Sequence, residues 1–467
     1  MVIYMLSGVL RPLKQVLPGR RAGNKNSTTS AMAVDSVALM VSSGLNAVLG
    51  VVYWMAVTNL YSVEQVGRAT TLINAGIVFS SASILAFGQM LERFLPVAGE
   101  CRPRIVLSAT AIVTALSLLL SGSFVLFWPT DALLVTPGER LAYPVCVAVL
   151  TVFALYDSVL VGVHLGRFAA VKNVIHAVVK LIAVVVAGLW LADGSAQAII
   201  ASWIMPAAVL IVLTQMWLYL RSRARAAGSV PDALPPRRDL VVYFLSTTGW
   251  IVGQVLPGLF IPLLVERLLG LAAAAYFNIA WIVVAASIML MSVVSGPFVA
   301  SASRPDADLA AETRSFRKIV LYVSGFRLLA VSVAGPIALL FYGWDYAAEG
   351  TPLLVLMGIA HAMAGPALIY GALSKVYRCL YYPMTVQLIG AVVLVGLVWW
   401  WLPSYGIVAV GWAFIVHDVG VLLAAAVPLR NLYRRAMAGD RGVHRDGIHG
   451  SSDRGSGAPS AENEAQA

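Results

Sequence analysis

Between Val34 and Leu429 the sequence repeatedly runs apolar for about twenty residues before a charge, a glycine or a proline interrupts it. That length constrains the chain more than any other feature. A bilayer core about 30 Å thick needs roughly 20 helical residues to cross, and lipid offers the backbone no hydrogen-bond partner. Each window must therefore close its own hydrogen bonds as a helix. About twelve windows are present. They run from Val34 to Val57, Thr70 to Leu91, Ile105 to Trp128, Tyr143 to Val163, Asn173 to Ala192 and Ala196 to Leu220. A second set runs from Leu240 to Val265, Ala272 to Ala300, Ile319 to Tyr342, Pro352 to Leu373, Pro383 to Leu402 and Ile407 to Leu429. The alternating ten-residue pattern of a membrane barrel is missing. With 60% hydrophobic and 12% charged residues, the expected class is all-α and integral to the membrane.

Lys and Arg orient the spans. With the N-terminus cytoplasmic, 27 of the 32 lie on inner segments, while Arg68, Arg140 and Arg267 lie on outer loops, as the positive-inside rule requires. A linker rich in Arg and Pro, 221–239, divides the windows six and six. The expected organisation is a cytoplasmic arm 1–33, a six-helix bundle 34–220, the basic linker, a second six-helix bundle 240–429 and a disordered cytoplasmic tail 430–467, with both termini inside. An excess of Arg over Lys and abundant Ala and Val suit a bacterium of high genomic GC content. The net charge of +10 is spread along inner helix edges rather than gathered on one soluble module, which points to membrane lipids as partners and away from nucleic acid. Cys101, Cys146 and Cys379 are too scattered for a disulfide framework or a zinc site, and no metal or cofactor is expected. No Gly-rich phosphate loop followed by Lys-Ser or Lys-Thr occurs, so the chain carries no ATPase of its own.

An even number of spans per half makes any internal repeat parallel. A shift of 208 residues lays SVEQVGRATTLINA, from Ser62, over GLAAAAYFNIAWIV, from Gly270, each a small-residue turn opening the second span of its half. The same shift places Gly50 on Gly258 and Gly88 on Gly296, with Pro257 and Pro297 beside the second pair members. Two readings stand at these positions: hinges or gates of a transporter, or the ordinary abundance of Gly and Pro in membrane helices.

Lys180 and Arg327 fall inside spans, where a cation costs about 2.5 to 3.5 kcal/mol on insertion scales. Counted from a turn centred near Phe168, Asp157 and Lys180 reach similar depth, and Arg327 and Asp418 match likewise from the cytoplasmic side. Both couples are expected as ion pairs, serving either as structural glue or as relays that open and close with transport. His176 lies on the face of Lys180, and His417 adjoins Asp418.

The stretch FGQMLERFLP, Phe87 to Pro96, closes the second window with a polar lip of Gln89, Glu92 and Arg93. In order, the turn SVEQVG, a polar-lined apolar helix, GQMLERFLP and then LLGLAAAAYFNIAWIV resemble the polysaccharide flippases (Wzx type) of the multidrug/oligosaccharidyl-lipid/polysaccharide exporter superfamily, over about Val34 to Leu429. The resemblance implies two six-helix bundles, related by a parallel repeat, around a cavity that opens alternately to each side. It makes Asn46, Asn74, Gln89, Arg93, Gln254 and Asn278 candidate lining residues. Arg68 and Arg93 are the only basic residues on the lining helices, a sparser set than relatives handling anionic lipids carry. The implied activity is transfer of a polyprenyl-linked oligosaccharide or related glycolipid across the inner membrane, alongside other glycan-assembly proteins and without enzymatic chemistry. Three alternatives stay open: another twelve-helix secondary exporter, a membrane glycan polymerase or ligase, and a non-transporting scaffold.

Overall fold

In the computed structural model, residues 26–84, 87–190, 195–224, 256–302, 308–377, 379 and 381–440 are described, and among them there is no strand. The helices are α1 Asn26–Leu60, α2 Val63–Ile84, α3 Phe87–Phe94, α4 Arg102–Phe127, α5 Pro137–Gly162, α6 Gly166–Trp190 and α7 Ala196–Ala224, then α8 over 256–269. They continue with α9 Leu271–Ala302, α10 Leu309–Leu329, α11 Gly335–Leu340, α12 Trp344–Met363, α13 Gly365–Val376, α14 Tyr381–Tyr405 and α15 Val408–Met437.

Local chemistry sets their ends. Thr136 and Glu139 form a reciprocal cap at the start of α5, where Pro137 spares a backbone donor that would otherwise be orphaned. Asp308 caps α10 by accepting from the Ala311 amide at 3.0 Å. A π-helical segment, Ala330–Ala334, joins α10 to α11 just ahead of Pro336, whose missing N–H cannot continue the regular ladder. Gly270 (φ +89°) makes the tight junction of α8 and α9, a conformation that side chains other than glycine's resist.

Seven of the described helices or helical stretches are long and apolar enough to cross a membrane, eight when α12 and α13, bent by 40°, count as one span. Shorter apolar stretches cover Gly44–Leu60 and Leu271–Ala285. Large apolar side chains such as Leu126, Phe127, Trp190 and Leu321 stand exposed along these helices, a surface that hydrocarbon covers without penalty. The protein is a multi-pass membrane protein.

Several expected boundaries change: the windows Ile319 to Tyr342 and Pro352 to Leu373 are interrupted by the π-helical segment Ala330–Ala334 and by the bend between α12 and α13. Helix α1 begins at Asn26, inside the segment expected as an arm, and α15 continues past Leu429 to Met437. The window Thr70 to Leu91 is two helices, α2 and α3, the second ending in 3₁₀ turns at Leu95–Val97 and Gly99–Cys101. Pro96 in the first of these turns enforces the break.

Helix α1 packs along α6, α4 along α5, α12 against α15, and α14 against α15. The main contact between the N-terminal and C-terminal parts is α2 on α9. The largest apolar cluster is shared across that contact: Tyr53, Val57, Ile73 and Val184 meet Ile261, Ala275, Phe277, Leu354 and Val410.

Candidate functional site

The α2–α9 contact is built around a residue with no side chain. A Cβ added to Gly67 would lie 1.8 Å from the Leu271 carbonyl oxygen and 3.1 Å from the Ala275 amide nitrogen, so only glycine permits this approach. One turn further along, the wholly buried Asn278 donates Nδ2 to both Thr70 Oγ1 and Thr71 Oγ1 at 3.1 Å, and its Oδ1 accepts from Asn74 Nδ2 at 2.9 Å. A buried amide left without partners would cost several kcal/mol, roughly 2 to 7 by transfer measurements, so these bonds compel the two helices to meet here and not elsewhere. Gly67 thus faces Ala275, and Thr70 bonds Asn278, the very residues that the 208-residue shift superposes.

Arg68 does not point into open space. Its Nη2 pairs with Glu139 at 2.7 Å and its Nε donates to the Leu133 carbonyl at 2.7 Å. Glu139 also accepts from Gln197, and Gln65 accepts from the Ala196 amide at 2.8 Å. Tyr143 adds a bond from its hydroxyl to the Leu72 carbonyl at 3.0 Å. The first turns of α2 are therefore tied to α5, α7 and the connection before α5, at the same end as the Gly67 contact. A guanidinium anchored at two of its nitrogens and largely buried with its carboxylate is held more firmly than an exposed pair.

The other expected lining residues are dispersed. Asn46 is half-buried on α1, and its Oδ1 has no partner among the described residues. Gln89 is exposed on α3, while Glu92 accepts from Ser158 Oγ at 2.8 Å, fastening α3 to α5. A Cβ on Gly88 would meet Ser158 Oγ at 2.9 Å, so this glycine does serve a close approach. Gly50 has nothing within 4 Å and Gly258 only Val78 at 3.9 Å, so neither marks one. Pro257 starts α8. Gln254 lies outside the described residues, as do the side chains of Arg93 and Pro297, and the surroundings of Gly296 likewise. Among the described residues the glycine with the tightest surroundings, Gly67, sits inside the stretch that carries the sequence echo, and its repeat position holds alanine; that small-on-small match was the available signal.

Both expected ion pairs are corrected. Asp157 pairs with Lys172 at 3.0 Å and accepts from Asn173 Nδ2 at 3.0 Å. The turn between α5 and α6 centres on His164 (φ +58°), not Phe168; Asp157 is seven residues before it and Lys172 eight after, so a one-turn error in the turn named the wrong lysine. Lys180 is buried with no carboxylate partner among the described residues, its Nζ 3.5 Å from the centre of the Trp203 ring and 5.0 Å from that of Tyr53. The Tyr53 hydroxyl is 2.9 Å from Ser202 Oγ, and a His176 ring nitrogen is 2.9 Å from the Trp203 carbonyl oxygen. This is a cation held by aromatic faces between α1, α6 and α7.

Arg327 and Asp418 do not form an ion pair either. Asp418 turns onto its neighbour His417, Oδ1 to Nδ1 at 2.8 Å, while Arg327 donates at 3.4 Å to the His361 carbonyl and to Ser287 Oγ. Equal depth on neighbouring helices leaves rotation about each axis undetermined, and here each side chain takes other partners. Arg327 Nε, His361 Nε2 and Asp418 Oδ2 are buried with no partner among the described residues.

No family model matches the chain, and no curated protein matches it by sequence. Solved structures match by fold. The structure of the MATE multidrug transporter DinF-BH superposes with a TM-score of 0.59 at 15% identity, covering 90% of this chain and 99% of that one. The lipid II flippase MurJ in an inward closed conformation gives 0.56 at 12% identity over 87% of this chain and 90% of that one. An inward-facing multidrug resistance MATE family transporter of the MOP superfamily gives 0.55 at 13% identity, over 84% and 95%. Glycine-tight helix contacts, buried polar pins and long apolar helices are here arranged in the fold shared by MurJ and the MATE transporters.

Proposed function

We propose that this protein is a flippase that moves a polyprenyl-linked oligosaccharide, or a related glycolipid, from the inner to the outer leaflet of a bacterial inner membrane by alternating access. The observation that carries the reading is the α2–α9 contact, where Gly67 meets Leu271 and Asn278 bonds Thr70, Thr71 and Asn74. With both termini cytoplasmic, this contact lies at the outer ends of the second spans of two six-helix bundles, twelve spans in all, related by a parallel repeat. It is then the outer gate, closed.

Opening it to the outside requires α2 and α9 to part and exposes the amides of Asn74 and Asn278, groups suited to sugar hydroxyls. The lipid tail stays in hydrocarbon throughout, so the cavity need solvate only sugars and phosphate. Polar pins on a glycine hinge-point suit a contact that must be both specific and reversible. Arg68, locked by Glu139, supports the gate rather than binding the substrate. The Wzx-type resemblance of the sequence and the fold shared with a lipid II flippase support this substrate class.

The direct test measures leaflet accessibility of lipid-linked oligosaccharides in spheroplasts depleted of the protein. Inner-leaflet accumulation reversed by the wild type is expected. Normal distribution with missing or unpolymerised glycan would point to a polymerase, a ligase or a scaffold. A second reading, export of small amphipathic molecules, is favoured by the fold shared with DinF-BH and by the sparse cations near the gate. Drug sensitivity on depletion, with lipid-linked glycan distributed normally, would select it.

A further inference from the structure

At the end of the molecule where α10 begins and α13 and α15 finish, a concavity of about 410 Å³ is lined by Arg317 of α10, Ile369 of α13 and Ala426, Leu429, Arg430, Tyr433 and Arg434 of α15. Three guanidiniums therefore share one pocket with an apolar floor. None of the three forms an ion pair with a carboxylate among the described residues, whereas the adjoining Arg435 does, with Asp440 at 3.8 Å. Arg317 is further positioned by the Tyr433 ring, its Cζ 5.8 Å from the ring centre. Ile369 is buried in the cluster of Phe298, Phe316, Val320 and Leu373, so the floor belongs to a packed core and does not depend on mobile side chains.

The surface leading away from the pocket decides what fits. Leu423, Val427, Arg430 and Arg434 recur at three- and four-residue spacing, so one face of α15 runs from apolar to cationic. Leu423 and Val427 are each 70% exposed, and Leu321, one turn beyond Arg317 on α10, is 71% exposed. From Leu423 to Arg434 the rise is about 16 Å, roughly half a bilayer core. A cationic basin at one end of an apolar track of that length matches a phosphate head with an acyl chain. A soluble phosphate would leave the track uncovered, and a protein surface would need a polar rim along it.

We propose that this pocket is a binding site for one anionic phospholipid of the adjoining leaflet, its phosphate held by Arg317, Arg430 and Arg434 and one acyl chain lying over Leu423 and Val427. This differs from the diffuse attraction of basic loops for acidic membranes, which needs no concavity and no shared stoichiometry.

The test uses delipidated full-length protein in detergent, titrated with phosphatidylglycerol and followed by native mass spectrometry. Wild type is expected to show one saturable high-affinity phosphatidylglycerol, with phosphatidylcholine bound about tenfold more weakly or less. Arg317→Gln with Arg430→Gln should weaken that first site by about tenfold or more, while Arg104→Gln with Arg167→Gln, which removes the same charge from other sites, leaves it unchanged. Arg317→Lys with Arg430→Lys should retain most of the binding, which separates loss of the site from misfolding. Equal weakening by both Gln pairs would reduce the site to general electrostatics and overturn the proposal. So would equal binding of phosphatidylcholine, or displacement of the lipid by millimolar glycerol phosphate, which would show that the head alone is recognised.

Discussion

Replacing Gly67 with alanine should force the proposed gate open. An added Cβ would sit 1.8 Å from the Leu271 carbonyl oxygen. Close C···O contacts lie at about 3.3 Å, so α2 and α9 must separate by roughly 1.5 Å, because the obstacle is backbone and cannot rotate away. The same displacement carries the Asn278 bonds, now 2.9 to 3.1 Å, beyond hydrogen-bonding distance. Three interhelical hydrogen bonds in a membrane, at about 0.6 kcal/mol each, sum to roughly 2 kcal/mol, a shift of about thirtyfold in a two-state equilibrium. The assay is labelling of Ile73→Cys, a buried position in the shared cluster that makes none of these bonds, by an impermeant maleimide added outside intact cells whose protein lacks its other cysteines. Labelling should accelerate by about thirtyfold in the Gly67→Ala background, and Asn278→Ala, which removes bonds without adding volume, should act in the same direction. If labelling stays at the wild-type rate with normal abundance, α2 and α9 are permanently packed and the gate assignment fails.

Other perturbations separate the corrected polar contacts. The stability lost in Asp157→Asn should be recovered by Lys172→Met and not by Lys180→Met, read as thermal unfolding in detergent; the reverse pattern would restore the pairing expected from sequence. Trp203→Leu should destabilise the protein by about 1 to 2 kcal/mol more when Lys180 is present than in Lys180→Met, because the ring face is what compensates the buried ammonium. Arg68→Ala should expose the connection before α5 to externally added protease, since it removes both the Glu139 pair and the Leu133 tie; unchanged cleavage would show that Arg140, paired with Asp131 at 2.7 Å, holds it alone. Arg93→Ala should lower transport at normal abundance, and a loss of abundance in its place would make Arg93 an interfacial anchor.

Much of this was legible in one dimension. Windows of about twenty apolar residues demand helices whatever their partners, because lipid cannot satisfy an open backbone. The stop at Pro96 follows from a proline that can be read directly, whereas the interruptions ahead of Pro336 and at Gly365 fall inside windows expected to be continuous. Asn74 and Asn278 were singled out by the family resemblance as candidate lining residues, but their bonding to each other was not legible. Depth along a helix was also legible, and it brought Asp157 close to the right region of α6.

What the sequence by itself determined, then, is environment, helicity and depth, each a property of a single helix in a uniform solvent. Which residues meet is a matter of rotation about each axis and of where each turn is centred, here one helical turn away from its expected place, quantities set only when all the helices pack at once. Only the tertiary structure could therefore give Asp157 to Lys172, leave Lys180 to the rings of Trp203 and Tyr53, and turn Asp418 onto His417. It also decided that Gly67, and not Gly50 or Gly258, is where two helices touch backbone to backbone, because a glycine's role depends on what occupies the space its missing side chain leaves.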